Sequence, residues 1–209
     1  MSRTERHKRL RLLIQKVNKH RKQQASKIDI LCNDLISAQR AFLGRLQTIG
    51  FAAEFYKSLL GAGDLDSLLT RAGRAIEQEL PGTGVTFFLR QPDGCEIHAV
   101  ETGHSPPLEP PKPEHFLNSE LIDGICKSDA PCTLDELCCM GLDGDLKALT
   151  GYSIATFPLS HLGRSLGFML AYRQSSQALT PGELRRISFV TCGLAQAIHS
   201  VRVPLTSRE

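Results

Sequence analysis

Four cysteines fall within fourteen positions: Cys126, Cys132, Cys138 and Cys139. Thiolates, with the imidazoles of His98 and His104 not far away in sequence, could hold zinc or iron or cycle as a redox couple. Their spacing argues otherwise. It runs Cys-x5-Cys-x5-Cys-Cys, whereas tetrahedral metal sites usually recruit Cys-x2-Cys pairs. Cysteine is also among the most buried residue types and behaves as a small apolar filler. The expectation is therefore structural thiols and no bound metal. Cys32 and Cys192 fall in helical patterns and invite the same reading. His98 alternates with Ile97 and Ala99 and is expected at the surface, and His161 sits in a turn. Gly151-Tyr-Ser153 lacks the second glycine of a nucleophile elbow. Asp143-Gly-Asp145 is too short for a calcium loop, and no glycine loop could cradle a phosphate. No catalytic residue and no cofactor is expected.

The elements that must position these side chains begin with a long helix. Between Thr4 and Leu60 there is no proline. One heptad set contains Ile14, Arg21, Ile28, Leu35, Phe42 and Ile49, and its partner set contains Leu10, Val17, Gln24, Leu31, Ala38 and Arg45. Alternating steps of four and three keep one seam facing a partner helix. Such a helix would span about 85 Å at roughly 1.5 Å per residue, more than one small domain can cover. A parallel homodimer is expected, with Leu10, Ile14, Val17, Ile28, Leu31, Leu35, Ala38, Phe42 and Ile49 at the seam. Gly50 could bend the helix, and folding back as shorter helices is the alternative.

Charge divides the chain as well. Residues 1–28 hold ten Lys/Arg against Glu5 alone, a balance of +9, and residues 29–209 carry −6. A basic arm on an acidic body could seek nucleic acid or an anionic surface through residues 3–27, or could simply be a solvated helix face. With no aromatic residue to stack on bases, that arm could offer phosphate contacts only.

Beyond Gly61-Ala-Gly-Asp64 the pattern predicts a second helix, N-capped by Asp64, with Leu65, Leu68, Leu69, Ala72, Ala75, Ile76 and Leu80 as its apolar stripe. The period then changes to two. Val85–Leu89 and Cys95–Val100 flank Gln91-Pro-Asp-Gly94 as a hairpin. Residues 102–114 form a proline-rich loop, and Ser119–Lys127 a short helix capped by Ser119. A stretch from Ser128 to Gly144 has little periodicity, with a short strand at Pro131–Leu134. A second hairpin joins Ser153–Leu159 to Ser165–Tyr172. Thr180, Pro181 and Glu183 then open a last helix with a capping box. This order gives an α+β fold, an antiparallel sheet with helices packed on one face. Residues 102–150 would roof the other face, enclosing a cavity for an unidentified small molecule lined by Phe88, Leu121, Ile125, Cys132 and Phe157. A shifted register would put Phe87 in place of Phe88.

Five phrases carry a resemblance: Gly63-Asp-Leu-Asp-Ser-Leu-Leu69, Pro158-Leu159, Gly163, Leu166-Gly167 and Leu179-Thr-Pro-Gly-Glu183. In this order and spacing, residues 52–203 resemble a GAF domain, the small-molecule-sensing and dimerisation module of many signalling proteins. The resemblance implies N- and C-terminal helices that pack together and continue into coiled coils. The family's specific markers do not match. Bilin-binding members attach chromophore through a Cys commonly followed by His, but here Cys139 precedes Met140. The Asn-Lys…Phe-Asp-Glu signature of cyclic-nucleotide-binding members is absent between 100 and 150, and the cysteine context of members that reduce methionine sulfoxide is absent too. The expected organisation is a dimerising basic helix at 1–51, a GAF-like domain at 52–203 and a tail at 204–209. The expected function is regulatory and non-catalytic, acting through a separate output protein. The alternatives are a cysteine-based redox enzyme or sensor and a nucleic-acid-associated regulator. No run of 18 apolar residues could span a membrane, and no apolar segment precedes a cleavage site near Met1. A cytoplasmic protein with reduced thiols is expected.

Overall fold

A computed structural model describes residues 3–91, 94–100, 117–128, 130–142, 149 and 151–202. The proline-rich loop 102–114, Asp143-Gly-Asp145 and the tail 204–209 lie outside these residues. Helix α1 is continuous over Arg3–Leu59. The chain divides into two compact units, Met1–Gln47 and Thr48–Glu209. Phe51, one residue before the expected start of the domain at 52, already belongs to the core of the second unit. In the first unit every described side chain from Glu5 to Gln47 is exposed.

In the second unit α1 ends where the Arg71 guanidinium donates to the Leu60 carbonyl at 2.8 Å. Helix α2 (Leu65–Glu79) starts as expected, with Asp64 accepting from the Ser67 N–H at 2.7 Å. Strands β1 (Gly84–Gln91) and β2 (Gly94–Val100) form the first hairpin. Helix α3 (Ser119–Lys127) is capped by Asn118, not Ser119: the Asn118 amide oxygen accepts from the Leu121 N–H at 2.8 Å. Strand β3 (Cys132–Thr133) leads into a short helix α4 (Leu134–Cys139). The sequence pattern does not disclose this helix, its six residues being too few to display a period. Strands β4 (Tyr152–His161) and β5 (Arg164–Gln174) make the second hairpin. Helix α5 (Pro181–Arg202) opens with the reciprocal box, Thr180 N–H to Glu183 at 2.7 Å and Glu183 N–H to the Thr180 hydroxyl at 3.3 Å.

The five strands lie in the order β2-β1-β5-β4-β3, each neighbouring pair antiparallel. On one face, Val85, Phe87, Leu89, Phe157 and Met169 pack against the end of α1, α2 and α5. On the other, Phe88, Ile154, Phe168 and Leu170 pack against α3, β3 and α4. Strand β5 passes so close to β1 at Gly167 (φ +134) that a side chain there would strike the Phe88 carbonyl. Both faces are covered, so the central strands are apolar on both sides. Arg173, buried in β5, binds the Thr83 hydroxyl at 2.8 Å and Glu183 at 3.3 Å, tying the sheet to the start of α5.

Candidate functional site

The residues expected to line a cavity separate across the sheet. Phe88, Leu121, Ile125 and Cys132 do gather on one face, but as a packed cluster in which each is buried. The Phe88 ring stacks on Phe168 at 4.6 Å. Phe157, expected among them, lies on the opposite face with the long helices. In β4 it is Ile154 that shares a cluster with Phe88, and Ala155, beside Phe157 in register, also turns to the helices. A strand covered on both faces offers no apolar alternation from which to choose the inward set.

The thiols do not converge on a centre. All seven cysteines are free, and among the described residues no group of three His, Cys, Asp or Glu is placed to hold a metal. Cys132 lies 3.5 Å from the Ser128 hydroxyl, while Cys139 is exposed at the end of α4. The neighbour of Cys126 is instead Cys95, from β2. Burial pushes both thiols up, and each feels the Arg90 guanidinium as a smaller opposing influence. Thiols held protonated are poor nucleophiles. His98 is half-buried, between Asp66 at 3.1 Å and Glu96 at 3.0 Å, rather than at the open surface. The Glu96 carboxyl is held below its ordinary value, chiefly by the Gln91 amide at 2.6 Å.

A cleft of about 930 Å³ opens at one end of the sheet. Four elements build it: the end of β1 with Arg90 and Gln91, the end of α3 with Cys126 and Lys127, the β4–β5 turn with Gly163, Arg164 and Ser165, and the last turn of α5 with His199 and Arg202. Arg90 pairs with Asp123 at 2.6 Å. Arg202 donates to the Arg90 carbonyl at 3.0 Å and meets Glu96 at 3.5 Å. The His161 and His199 rings lie 4.8 Å apart. Sequence reasoning missed this cleft because its residues are separated by up to 112 positions, as Arg90 and Arg202 are, and no local pattern joins them.

Compared by sequence, the chain matches no family model and no curated protein. Compared by structure, it is similar to the GAF domain of a phosphoenolpyruvate-protein phosphotransferase from Coxiella burnetii. The TM-score is 0.55 at 15% identity, over 75% of this chain and 95% of that one. The GAF domain of the phosphoenolpyruvate-protein phosphotransferase from Acinetobacter is similar with TM-score 0.54 at 9% identity, over 74% and 94%. A GAF domain/HD domain protein from Geobacter sulfurreducens follows with TM-score 0.52 at 12% identity, over 69% and 99%. The second unit therefore has a GAF-like fold, as the five sequence phrases imply.

Proposed function

We propose that the chain is a non-catalytic GAF-like sensory protein that forms a homodimer through α1, responds to a small molecule and acts through a separate output protein. The observation that carries this reading is the union of a GAF-like fold with a helix whose Leu31 and Leu35 are 67% and 69% exposed. Apolar side chains repeated at seam spacing over that length are stabilised by a second helix more readily than by water. Sedimentation of the full chain tests the reading. The wild type is expected to be dimeric at micromolar concentration, and Leu31→Asp with Leu35→Asp to be monomeric, since each places a charge in the seam. A monomeric wild type would overturn it.

No helix among the described residues is long and apolar enough to cross a membrane. Seven free thiols fit a reducing compartment, so the cytoplasm remains the proposed location. The redox alternative loses support from the raised Cys95 and Cys126 thiols. The basic start of α1 favours a second reading, contact with nucleic acid or an anionic surface, because Lys16, Lys19, Arg21 and Lys22 are all exposed. Salt-sensitive retention of duplex DNA that disappears in Lys19→Glu with Arg21→Glu would support it.

A further inference from the structure

Among the described residues, the cleft at the sheet end is lined by four cations, Arg90, Lys127, Arg164 and Arg202, and by no carboxylate. This convergence occurs in a part of the chain, residues 29–209, whose overall balance is −6. Lys127 and Arg202 stand in the last turns of α3 and α5, where a cation also answers the helix dipole. Arg90 and Arg164 come from strands and have no such reason to be there. Two of the four are already engaged, Arg90 by Asp123 and, more loosely, Arg202 by Glu96. Lys127 and Arg164 have no anionic partner among the described residues, and both are exposed.

Two donors inside the cleft are also underused. Among the described residues Arg202 Nη2 is buried without a hydrogen bond, its carboxylate neighbour being 3.5 Å away. Ser165 Oγ, also buried, has as its hydrogen-bonding neighbour the Cys126 sulfur, a weak acceptor. A buried donor left unpaired costs free energy, which a suitable acceptor would return. An anion with several acceptor oxygens meets these needs together. A monocarboxylate offers a single charge to several cations, whereas a phosphate monoester brings nearly two charges and three oxygens. At about 930 Å³ the cleft lies toward the upper end of small-molecule sites, leaving room for an organic body against Leu166.

We propose that this cleft binds a small organic phosphate, its dianion seated among Lys127, Arg164 and Arg202 with Ser165 Oγ donating to it. The proposal rests on the sensory reading for its biological role, and it names the charge class and the location of the ligand. The location differs from the sheet-face cavity that the sequence suggested.

The test is titration of the full-length protein with phenyl phosphate, inorganic phosphate and malonate, followed by amide NMR and calorimetry. Saturable binding of phenyl phosphate is expected, moving the amides of Arg164 and Ser165, with malonate at least tenfold weaker. Lys127→Glu with Arg164→Glu, both exposed, is expected to weaken phenyl phosphate at least tenfold while leaving circular dichroism unchanged. Ser165→Ala is expected to weaken it severalfold. Lys19→Glu with Arg21→Glu, in the basic arm, is expected to leave binding unchanged. Absence of saturable binding by either phosphate, or loss of binding in the arm variant but not in the cleft variant, would overturn the proposal. Sedimentation of the same samples separates the two ideas. A dimer that binds no phosphate leaves the dimeric sensory reading standing, and a phosphate-binding monomer leaves the cleft standing without it.

Discussion

Residues 5–47 and 48–59 belong to one helix, yet the first stretch buries nothing and the second supplies Phe51, Ala52, Phe55 and Leu59 to the core. Both repeat apolar side chains at steps of three and four, so the difference is not one of pattern. The second stretch has α2, α5 and a sheet face packed against it within its own unit. The first stretch has no cover among the described residues, while Leu10, Ile14, Val17, Ile28 and Phe42 are each more than half exposed. Periodicity therefore specifies a face for burial without saying whether the cover comes from the same chain. That distinction decides which substitutions unfold the domain and which only separate the proposed dimer.

The largest effect is expected at Phe55, which is 1% exposed. Phe55→Ala removes a core ring and leaves a cavity, at a cost of about 3–5 kcal/mol. Chemical denaturation should show that loss directly. Leu31→Asp with Leu35→Asp tests the other half of the helix. It is expected to abolish the dimer in sedimentation while shifting the denaturation midpoint of the GAF-like unit little, since neither side chain enters its core. A large loss of domain stability in this variant would mean that the two stretches are not energetically distinct.

What the sequence disclosed, and what it hid, follows the same distinction. Asp64, and Thr180 with Glu183, satisfy backbone groups within three residues of themselves, so the starts of α2 and α5 could be read locally. Asn118 and Ser119 are adjacent and both good caps, and only the Leu121 N–H contact chooses between them. Phe157 was misplaced because β4 is buried on both faces, so identity at alternate positions carries no direction. Leu121 and Ile125 were legible from the helical period of α3, whereas Phe88 and Phe87 stayed open alternatives because β1, too, is buried on both faces. The cationic cleft was not legible at all. Arg90, Lys127, Arg164 and Arg202 each look like an ordinary end-of-element charge until the strand order and the packing of α3 and α5 bring them together.

Acid should act on the core half of the comparison. Burial alone would raise the Glu183 carboxyl, but the Thr180 backbone N–H and hydroxyl, joined by Arg173, more than offset it and hold it below its ordinary 4.5. A carboxyl depressed in the folded state adds stability above its unfolded value, and that stability is lost as pH falls through the folded value. The stability difference between wild type and Glu183→Gln should therefore be constant at neutral pH and shrink below pH 4.5. The exposed seam of α1 contains no such group, so the dimer should not share this dependence. A difference that grew on acidification would contradict the assignment.

The smallest effect is expected at the β4–β5 turn, on the rim of the cleft. Leu162 and Gly163 both have positive φ, 49 and 74, as a two-residue hairpin loop of the I′ kind requires. Glycine takes that conformation freely, whereas a side chain without a local hydrogen bond pays about 1–2 kcal/mol. Leu162 gains nothing in return from burial, being 92% exposed. Asparagine tolerates the left-handed region because its amide can bond to nearby backbone. Leu162→Asn should therefore raise stability by roughly 0.5–1 kcal/mol, a melting shift of about 1–4 °C for a protein of this size. Dimerisation should be unchanged, since the turn lies far along the sequence from the heptads of α1. Phenyl phosphate binding should also persist, because the cleft uses Gly163 and Arg164 but not Leu162. A melting temperature that stayed level or fell would mean that the Leu162 side chain is covered in solution, and would make this turn part of an interface.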